Sequence, residues 1–367
     1  MAIATAERPT ATGIRTHNAL AAGQLPRGSA WMVLAGGLIF SSTFFALLAA
    51  AGATAGFNIV GAVFVGTVLF DIVLYALSRI VEGPRRALDR LVTSLVSTAF
   101  IIALLPLISL LWTVLIGGLA RFDVTFFTQS MRNIIGDGGG ALHAVIGTLL
   151  ITAMTTLISV PIGLLTSIYL VEYGRGALAR AITFLVDVMT GIPSIVAGLF
   201  TFALFAMLFG PAVRNGFMGA IALSVLMIPV VVRSSEEILR LVPNELREAS
   251  YALGVPKWLT ILRIVLPTSI AGIVTGIMLA IARVIGETAP LLLVTGFTFS
   301  MNYNLFEDRM MTLPVFVYTQ YTQAAGVSAQ GSIDRAWAAA LTLILIVMVL
   351  NLIGRLIAKV FAPRRGF

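Results

Sequence analysis

The chain has 367 residues, of which 59% are hydrophobic and 11% charged, with a formal net charge of +8. Soluble domains carry about 25% charged residues, so a water-soluble globular fold is excluded. Cysteine is absent, and the two histidines, His17 and His143, stand far apart, so neither a disulfide, a thiolate nucleophile nor a metal-binding spacing is present. The basic residues punctuate apolar runs, which is the pattern of loops anchored beside a membrane and not of a nucleic-acid surface.

Several runs exceed the roughly 20 apolar residues that cross a bilayer. Short alternating segments, the mark of a β-barrel, are missing. The chain therefore reads as an all-α polytopic membrane protein. Eight spans are expected, at 30–52, 57–79, 92–117, 141–171, 178–209, 216–233, 266–296 and 336–360.

Residues 1–29 read as a polar tail rich in Ala and Thr, with Arg8, Arg15 and Arg27. The first apolar run exceeds the length of a signal-peptide core, so it is taken as a retained span. Placing the N-terminus inside puts Arg79, Arg85, Arg86, Arg90, Arg175, Arg180, the arginines between 233 and 263, Arg355, Lys359, Arg364 and Arg365 in the cytoplasm. Arg121, Arg132, Arg214, Arg309 and Arg335 fall outside, and Arg283 lies within a span. Both termini are expected in the cytoplasm.

The Gly83–Arg90 stretch reads as a join between an accessory two-helix hairpin, 30–91, and a core, 92–363. Asp71 in the hairpin is read as a helix–helix hydrogen-bonding acid or a span-edge residue. On the outer side, Gly136, Gly138, Gly139 and Gly140 suggest a flexible hinge into the fourth span. An apolar stretch from Leu313 to Tyr321 is too short to span and suits a re-entrant or interfacial helix.

Pro106, Pro161, Pro193, Pro229 and Pro290 are each expected inside a span. An interior proline removes a backbone donor and frees a carbonyl, which in hydrocarbon needs another partner or a wet cavity. Either kinks for packing or a moving bundle around an aqueous path follows, with Pro193, Pro229 and Pro290 as candidate hinges. Arg283 and Glu287, four apart, are expected to share a helix face and to pair. A charge at mid-bilayer costs about 2.5–3.5 kcal/mol on insertion scales, so the pair is either structural or an anion path that includes Thr288. The planar fork of arginine suits an oxyanion. Arg233 is read as a positive-inside anchor or as a second anion contact at the inner mouth, and Asp187 as a structural acid or an arginine partner.

Residues 234–265 form a polar island between two spans. Ser234 to Glu237 are expected to cap a short helix that ends at Leu241, and Pro243 to open the next at its first position. Leu246, Ala249 and Leu253 recur at helical spacing, and Gly254 suits the left-handed residue that stops a helix. The product is a short amphipathic helix carrying Glu248. It lies on lipid or docks a soluble partner.

Glu248-Ala249-Ser250, then Gly254, then Ile264-x-Leu266-Pro267 resembles the "EAA" coupling motif of ABC-importer permeases, with Ser250 where alanine is common. The stretches Gly191 to Gly198, Val232 to Glu236 and Ala282 to Pro290 are similar to the A-type permease subunit family of phosphate-specific ABC importers. The resemblance covers roughly residues 92–363. It implies a six-helix type I importer core, with the first two spans as extra helices. It also implies that Glu248, Ala249 and Gly254, with Ser250, Leu246 and Leu253, dock an ATP-binding subunit, and that Arg233, Arg283 and Glu287 serve the substrate path. A second permease subunit in a heterodimer, two ATP-binding subunits and an extracytoplasmic phosphate-binding protein are implied as partners.

Neither lysine, Lys257 or Lys359, sits in a Gly-x-x-x-x-Gly-Lys-Ser/Thr loop, so no ATPase activity or cofactor is expected in this chain; ATP and magnesium would belong to the partner. An ion-coupled anion transporter or channel is the competing class, since broken helices and intramembrane charge suit it too. A permease for sulfate, molybdate or phosphonate, and a phosphate sensor, also remain open.

Overall fold

A computed structural model describes residues 23–26, 28–52, 56–134, 136, 138–326 and 329–361. Arg8, Arg15, His17, Arg27, Asp137, Arg364 and Arg365 lie outside the described residues. Among those described there is no strand. The chain divides into two compact units, one up to Leu110 and one from Leu111.

In the first unit α1 (Ser29–Ala50) packs against α2 (Ile59–Val81), which Asn58 caps by accepting from the Gly61 N–H at 2.8 Å. Ser41 on α1 donates to the Ala62 carbonyl at 2.7 Å, the close approach expected of small residues between membrane helices. The third helix, α3 (Pro84–Leu119), carries Pro106 inside it and contains the division between units. It starts eight residues before the expected span, because Pro84 supplies a favoured first helical residue. The expected join is thus reduced to Glu82 and Gly83, and Arg85, Arg86, Asp89 and Arg90 ride on helix. Asp71 accepts a short hydrogen bond from Ser94 on α3, as the helix–helix reading expects.

Glu82 is the polar knot of this unit. The Leu25 backbone N–H reaches it at 2.9 Å, Ser78 donates at 2.7 Å, and Arg90 grips both carboxylate oxygens at 2.7 and 2.8 Å. The Leu25 amide first, then Ser78 and Arg90, hold its carboxyl down to about 2 from an ordinary 4.5, against the opposing pull of burial.

The second unit opens with α4 (Val124–Thr128), capped by Asp123, and α5 (Leu142–Ile168), which runs on through a π turn at Tyr169–Tyr173. Next come α6 (Gly176–Thr190), α7 (Ser194–Phe209), α8 (Gly216–Arg240), α9 (Asn244–Ala252) and α10 (Lys257–Thr260). A second π turn, Ile261–Val265, joins α10 to α11 (Leu266–Val284), followed by α12 (Ala289–Val294), α13 (Leu313–Thr322) and α14 (Ala329–Phe361). The most apolar stretch of α8 is 61% buried, against 6% for that of α3, which makes α8 the axis of this unit. Around it α5, α7, α11 and α12 pack, with Ile151, Leu223, Met227, Val231, Val284 and Leu291 in the core.

Among the described residues seven helices are long and apolar enough to cross a membrane, and the α6–α7 pair makes an eighth crossing if counted as one. Several expectations are corrected in detail. The span read as 178–209 is two helices bent by 108°, because Ile192 precedes a proline and Pro193 stands at the cap of α7 instead of inside a helix. The span read as 216–233 runs on to Arg240; Ser234 turns its hydroxyl back to the Val230 carbonyl at 2.8 Å, so 234–237 is helix interior and not a cap. The glycine segment 136–140 is not a free hinge, since Arg335 donates to the carbonyls of Gly136 and Gly138 at 3.0 and 2.9 Å. Of the two readings of 313–322 the interfacial one does not fit, because Leu313, Val315 and Phe316 are fully covered in the core. His143 stands at the start of α5, a span edge as read, and there it is buried with its ring edge-on to Phe316.

Candidate functional site

The island folds around α9. Pro243 stands just before it, at the capping position and not the first helical one. Gly254 ends it at φ 75°, with the Val255 N–H returning to the Ser250 carbonyl at 3.2 Å and the Gly254 N–H to that of Tyr251 at 2.9 Å. This paired closure needs a left-handed residue, which costs any side chain about 1–2 kcal/mol.

The apolar stripe faces out. Leu253 is 84% exposed and Leu246 41%; Glu248 and Ala249 are also exposed. Tyr251 and Trp258 stand exposed beside them, and neither was singled out from the sequence. Ser250 departs from the docking set read from the sequence: it is buried and its hydroxyl bonds that of Thr260 at 2.8 Å, joining α9 to α10. The helix turns Ser250 inward, while Ala249 and Tyr251 on either side of it stay outside.

Behind the stripe lies a pair that the sequence reading missed. Arg247 Nε meets Glu172 Oε1 at 3.0 Å, with both side chains largely buried. The same guanidinium donates to the carbonyls of Val242 at 2.6 Å and Leu239 at 3.0 Å, satisfying the open C-terminal end of α8. Lys257 donates to the Glu172 carbonyl and lies over the Tyr173 ring at 4.9 Å. The far end of α5 and the end of α8 thus both hold α9. The only signal in the sequence was Arg247 at the same helical spacing as Ser250, facing away from the stripe.

Two turns before the end of α8, Arg233 pairs with Asp187 of α6 and with Glu236 at 2.9 Å, and Arg240 takes the other Glu236 oxygen at 2.5 Å. The arginine partner read for Asp187 is therefore Arg233. Two cations face two acids, and Arg233 is engaged by carboxylates here.

The span carrying Arg283 and Glu287 is broken between them. Helix α11 ends at Val284, the Glu287 N–H turns back to the Val284 carbonyl at 3.1 Å, and α12 starts at Ala289. The two side chains consequently do not share a helix face, and no Arg283–Glu287 ion pair forms among the described residues. The cause is Pro290 in the first turn of α12: it has no N–H for the Gly286 carbonyl and its ring clashes with that group, so α11 cannot run on through it. Among the candidate hinges only Pro229 lies inside a helix; Pro193 and Pro290 sit where helices begin. Arg283 is exposed and Glu287 and Thr288 half-buried, with none paired among the described residues.

Two stretches distant in sequence meet at this break. A Cβ on Gly198 of α7 would lie 2.7 Å from Pro290 Cα, so the glycine permits the contact between α7 and α12. On the other side, Gly276 of α11 faces the Ser234 hydroxyl of α8, its Cβ position 2.6 Å from the oxygen. Arg283 is two turns further along α11, about 10 Å beyond the level of the Arg233 cluster.

A family model described as binding-protein-dependent transport system inner membrane component matches residues 159–366. "Phosphate transport system permease protein PstA 1" of Mycobacterium tuberculosis (strain ATCC 25618 / H37Rv) is 47% identical over 286 residues, covering 77% of this chain and 91% of that protein. "Phosphate transport system permease protein PstA" of Pasteurella multocida (strain Pm70) is 38% identical over 289 residues, covering 77% of this chain and 97% of its own length. Among solved structures, a chain of a bacterial alginate ABC transporter in complex with an alginate pentasaccharide-bound periplasmic protein matches 75% of this chain and 96% of its own, with a TM-score of 0.51 at 15% identity. That last likeness is one of fold.

Proposed function

This chain belongs to the family of binding-protein-dependent transport system inner membrane components, and from that premise we propose that it is a membrane permease subunit of an ATP-driven importer of inorganic phosphate. The observation that carries the proposal is α9: an apolar stripe turned outward and fixed from behind by Arg247 and Glu172. A helix lying on lipid needs no such anchorage, whereas a lever moved by another protein does. Phosphate as cargo is supported by the names of the relatives at 38–47% identity and by an unpaired arginine at the break.

In this reading the chain pairs with a second permease subunit. Two ATP-binding subunits, which hold ATP and magnesium, seat α9 through Leu246, Glu248, Ala249, Leu253 and Gly254. An extracytoplasmic binding protein delivers phosphate to the opposite face. Both termini are cytoplasmic, 30–91 is an accessory hairpin, and 92–363 is the permease core. Closure of the ATP-binding pair displaces α9, and the Arg247 contacts pass that movement to α5 and α8. The breaks at Pro193 and Pro290 absorb the rearrangement, and the path alternates its opening. Because coupling between sites is reciprocal, ATP and loaded binding protein strengthen each other's binding to the complex, and loaded binding protein is expected to raise ATP hydrolysis by favouring the closed ATP-binding pair.

The test is reconstitution of the complex in proteoliposomes with its binding protein. Phosphate accumulation is expected to require ATP and to resist competition by equimolar sulfate or molybdate. Leu253→Asp and Glu248→Arg are expected to lose co-purification of the ATP-binding subunit. Uptake driven by an ion gradient without ATP, or normal assembly in both variants, refutes the reading.

A further inference from the structure

The end of α8 remote from α9 carries a second group of arginines that neither the docking helix nor the Arg283 break uses. Arg214 immediately precedes the helix cap Asn215, and Arg309 lies in the loop before α13. Their side chains converge on Gly296. A Cβ there would come within 3.1 Å of Arg309 Cδ and 3.2 Å of Arg214 Cδ, and Gly296 adopts φ 67°. Glycine is thus favoured by its left-handed backbone, and a Cβ there would press on both arginine side chains and shift them.

The two guanidinium groups keep donors to spare. Arg214 spends its Nε on the Leu293 carbonyl at 3.1 Å and stacks over Phe202 at 5.2 Å, leaving its terminal nitrogens without a partner among the described residues. Arg309 is exposed and pairs with no carboxylate among the described residues, although Glu307 and Asp308 precede it.

The loop holding Arg309 is fixed in place. Asn302 donates to the Glu307 and Arg309 carbonyls at 2.8 and 3.1 Å, the Met310 N–H returns to Thr295 at 3.2 Å, and Asn215 reaches the Phe306 carbonyl at 3.0 Å. Both Cδ atoms stand against the same glycine, so two like charges extend from one point, and an anion bound between them relieves their repulsion. Each planar guanidinium carries paired N–H donors, which suit a tetrahedral oxyanion.

The place of the pair along the bundle follows from α8. A Cβ on Gly219 would lie 2.5 Å from Thr295 Cγ2, while Ser234 is level with Gly276. The arginine pair and the Arg233 cluster therefore mark two levels separated by about 20 Å of helix rise, and Arg283 lies between them.

We propose that Arg214 and Arg309, set around Gly296, form an anion-receiving site that takes phosphate at the mouth opposite α9 and passes it toward Arg283. This rests on the phosphate-importer reading and adds its entry site.

The test uses the purified full importer. Phenylglyoxal modification of Arg309 and Arg214, read by mass spectrometry, should slow about fivefold in inorganic phosphate relative to chloride at the same ionic strength. At saturating binding protein, the double variant Arg214→Gln/Arg309→Gln should lower phosphate uptake on the order of tenfold, the scale of hydrogen bonds to a charged group. Arg309→Lys should restore part of the loss, and Gly296→Ala, which removes no charge, should reproduce it.

Equal labelling with and without phosphate overturns the site. So does a defect cured by raising the binding-protein concentration, since the arginines then dock that protein instead of the anion. Labelling is read independently of transport. If wild type fails to carry phosphate while both arginines are protected, the importer reading falls and the anion site stands.

Discussion

The docking helix and the α11–α12 break handle polar and apolar groups in opposite ways. At α9 the charges that point inward are matched, Arg247 with Glu172 and with the free carbonyls of α8, and the unmatched groups are apolar: Leu246, Leu253, Tyr251 and Trp258. At the break the apolar contacts are complete, Pro290 seated on Gly198 and Val284 in the core, and the unmatched groups are charged: Arg283 and Glu287. A surface that withholds apolar groups asks for a folded partner. A surface that withholds charge asks for an ion or for a complementary charge from another subunit.

The largest effect is expected at the break. Arg283→Ala should reduce phosphate uptake by at least about a hundredfold, as expected of losing a charged partner in a low-dielectric path, with assembly unchanged. Unaltered uptake would return Arg283 to a structural role and erase half of the contrast.

The next test acts behind α9. Arg247→Met leaves Glu172 buried without its cation, which costs about 3–5 kcal/mol. The expected readout is faster amide exchange across 242–260 and ATP hydrolysis that no longer responds to loaded binding protein. A variant that couples normally would show that α9 needs no anchorage from α5.

The smallest effect belongs to the first unit, where Glu82 is a buried carboxylate gripped by an arginine, as Glu172 is. Its folded-state value is lowered from 4.5 to about 2, so the stability it contributes is present above about pH 4.5 and is lost as pH falls toward 2. Glu82→Gln should therefore weaken this unit by about 2 kcal/mol at neutral pH, with the difference from wild type closing between pH 4.5 and 2. Amide exchange in residues 78–90 of the full chain reads it. A gap that stays constant across that window would mean the carboxylate's charge adds nothing beyond its shape.

Much of the architecture was legible from hydropathy alone. The spans near 30–52, 57–79, 141–171 and 336–360 lie close to the helices found, because a long apolar run has few alternatives in lipid. The stripe and stop of α9 were legible for a similar reason: helical spacing and a left-handed glycine are properties of neighbouring residues. The Arg283–Glu287 pairing was not, since the argument from four-residue spacing assumes a continuous helix and Pro290 ends that continuity. Nor could the sequence separate Ser250 from Ala249. One bonds Thr260 and the other faces out, and which is which depends on where α10 packs.

What the sequence by itself determined about this protein is the set of membrane helices, the polar island between two of them, and the residue types able to dock a partner or meet an anion. The tertiary structure alone decided which charges are matched. Arg247 found Glu172 and Arg233 found Asp187 across gaps of 75 and 46 residues, while Arg214 and Arg309 were brought to one glycine. Local spacing dictates what a helix presents. Only packing dictates what it meets, because the partners that neutralise a charge come from segments remote along the chain.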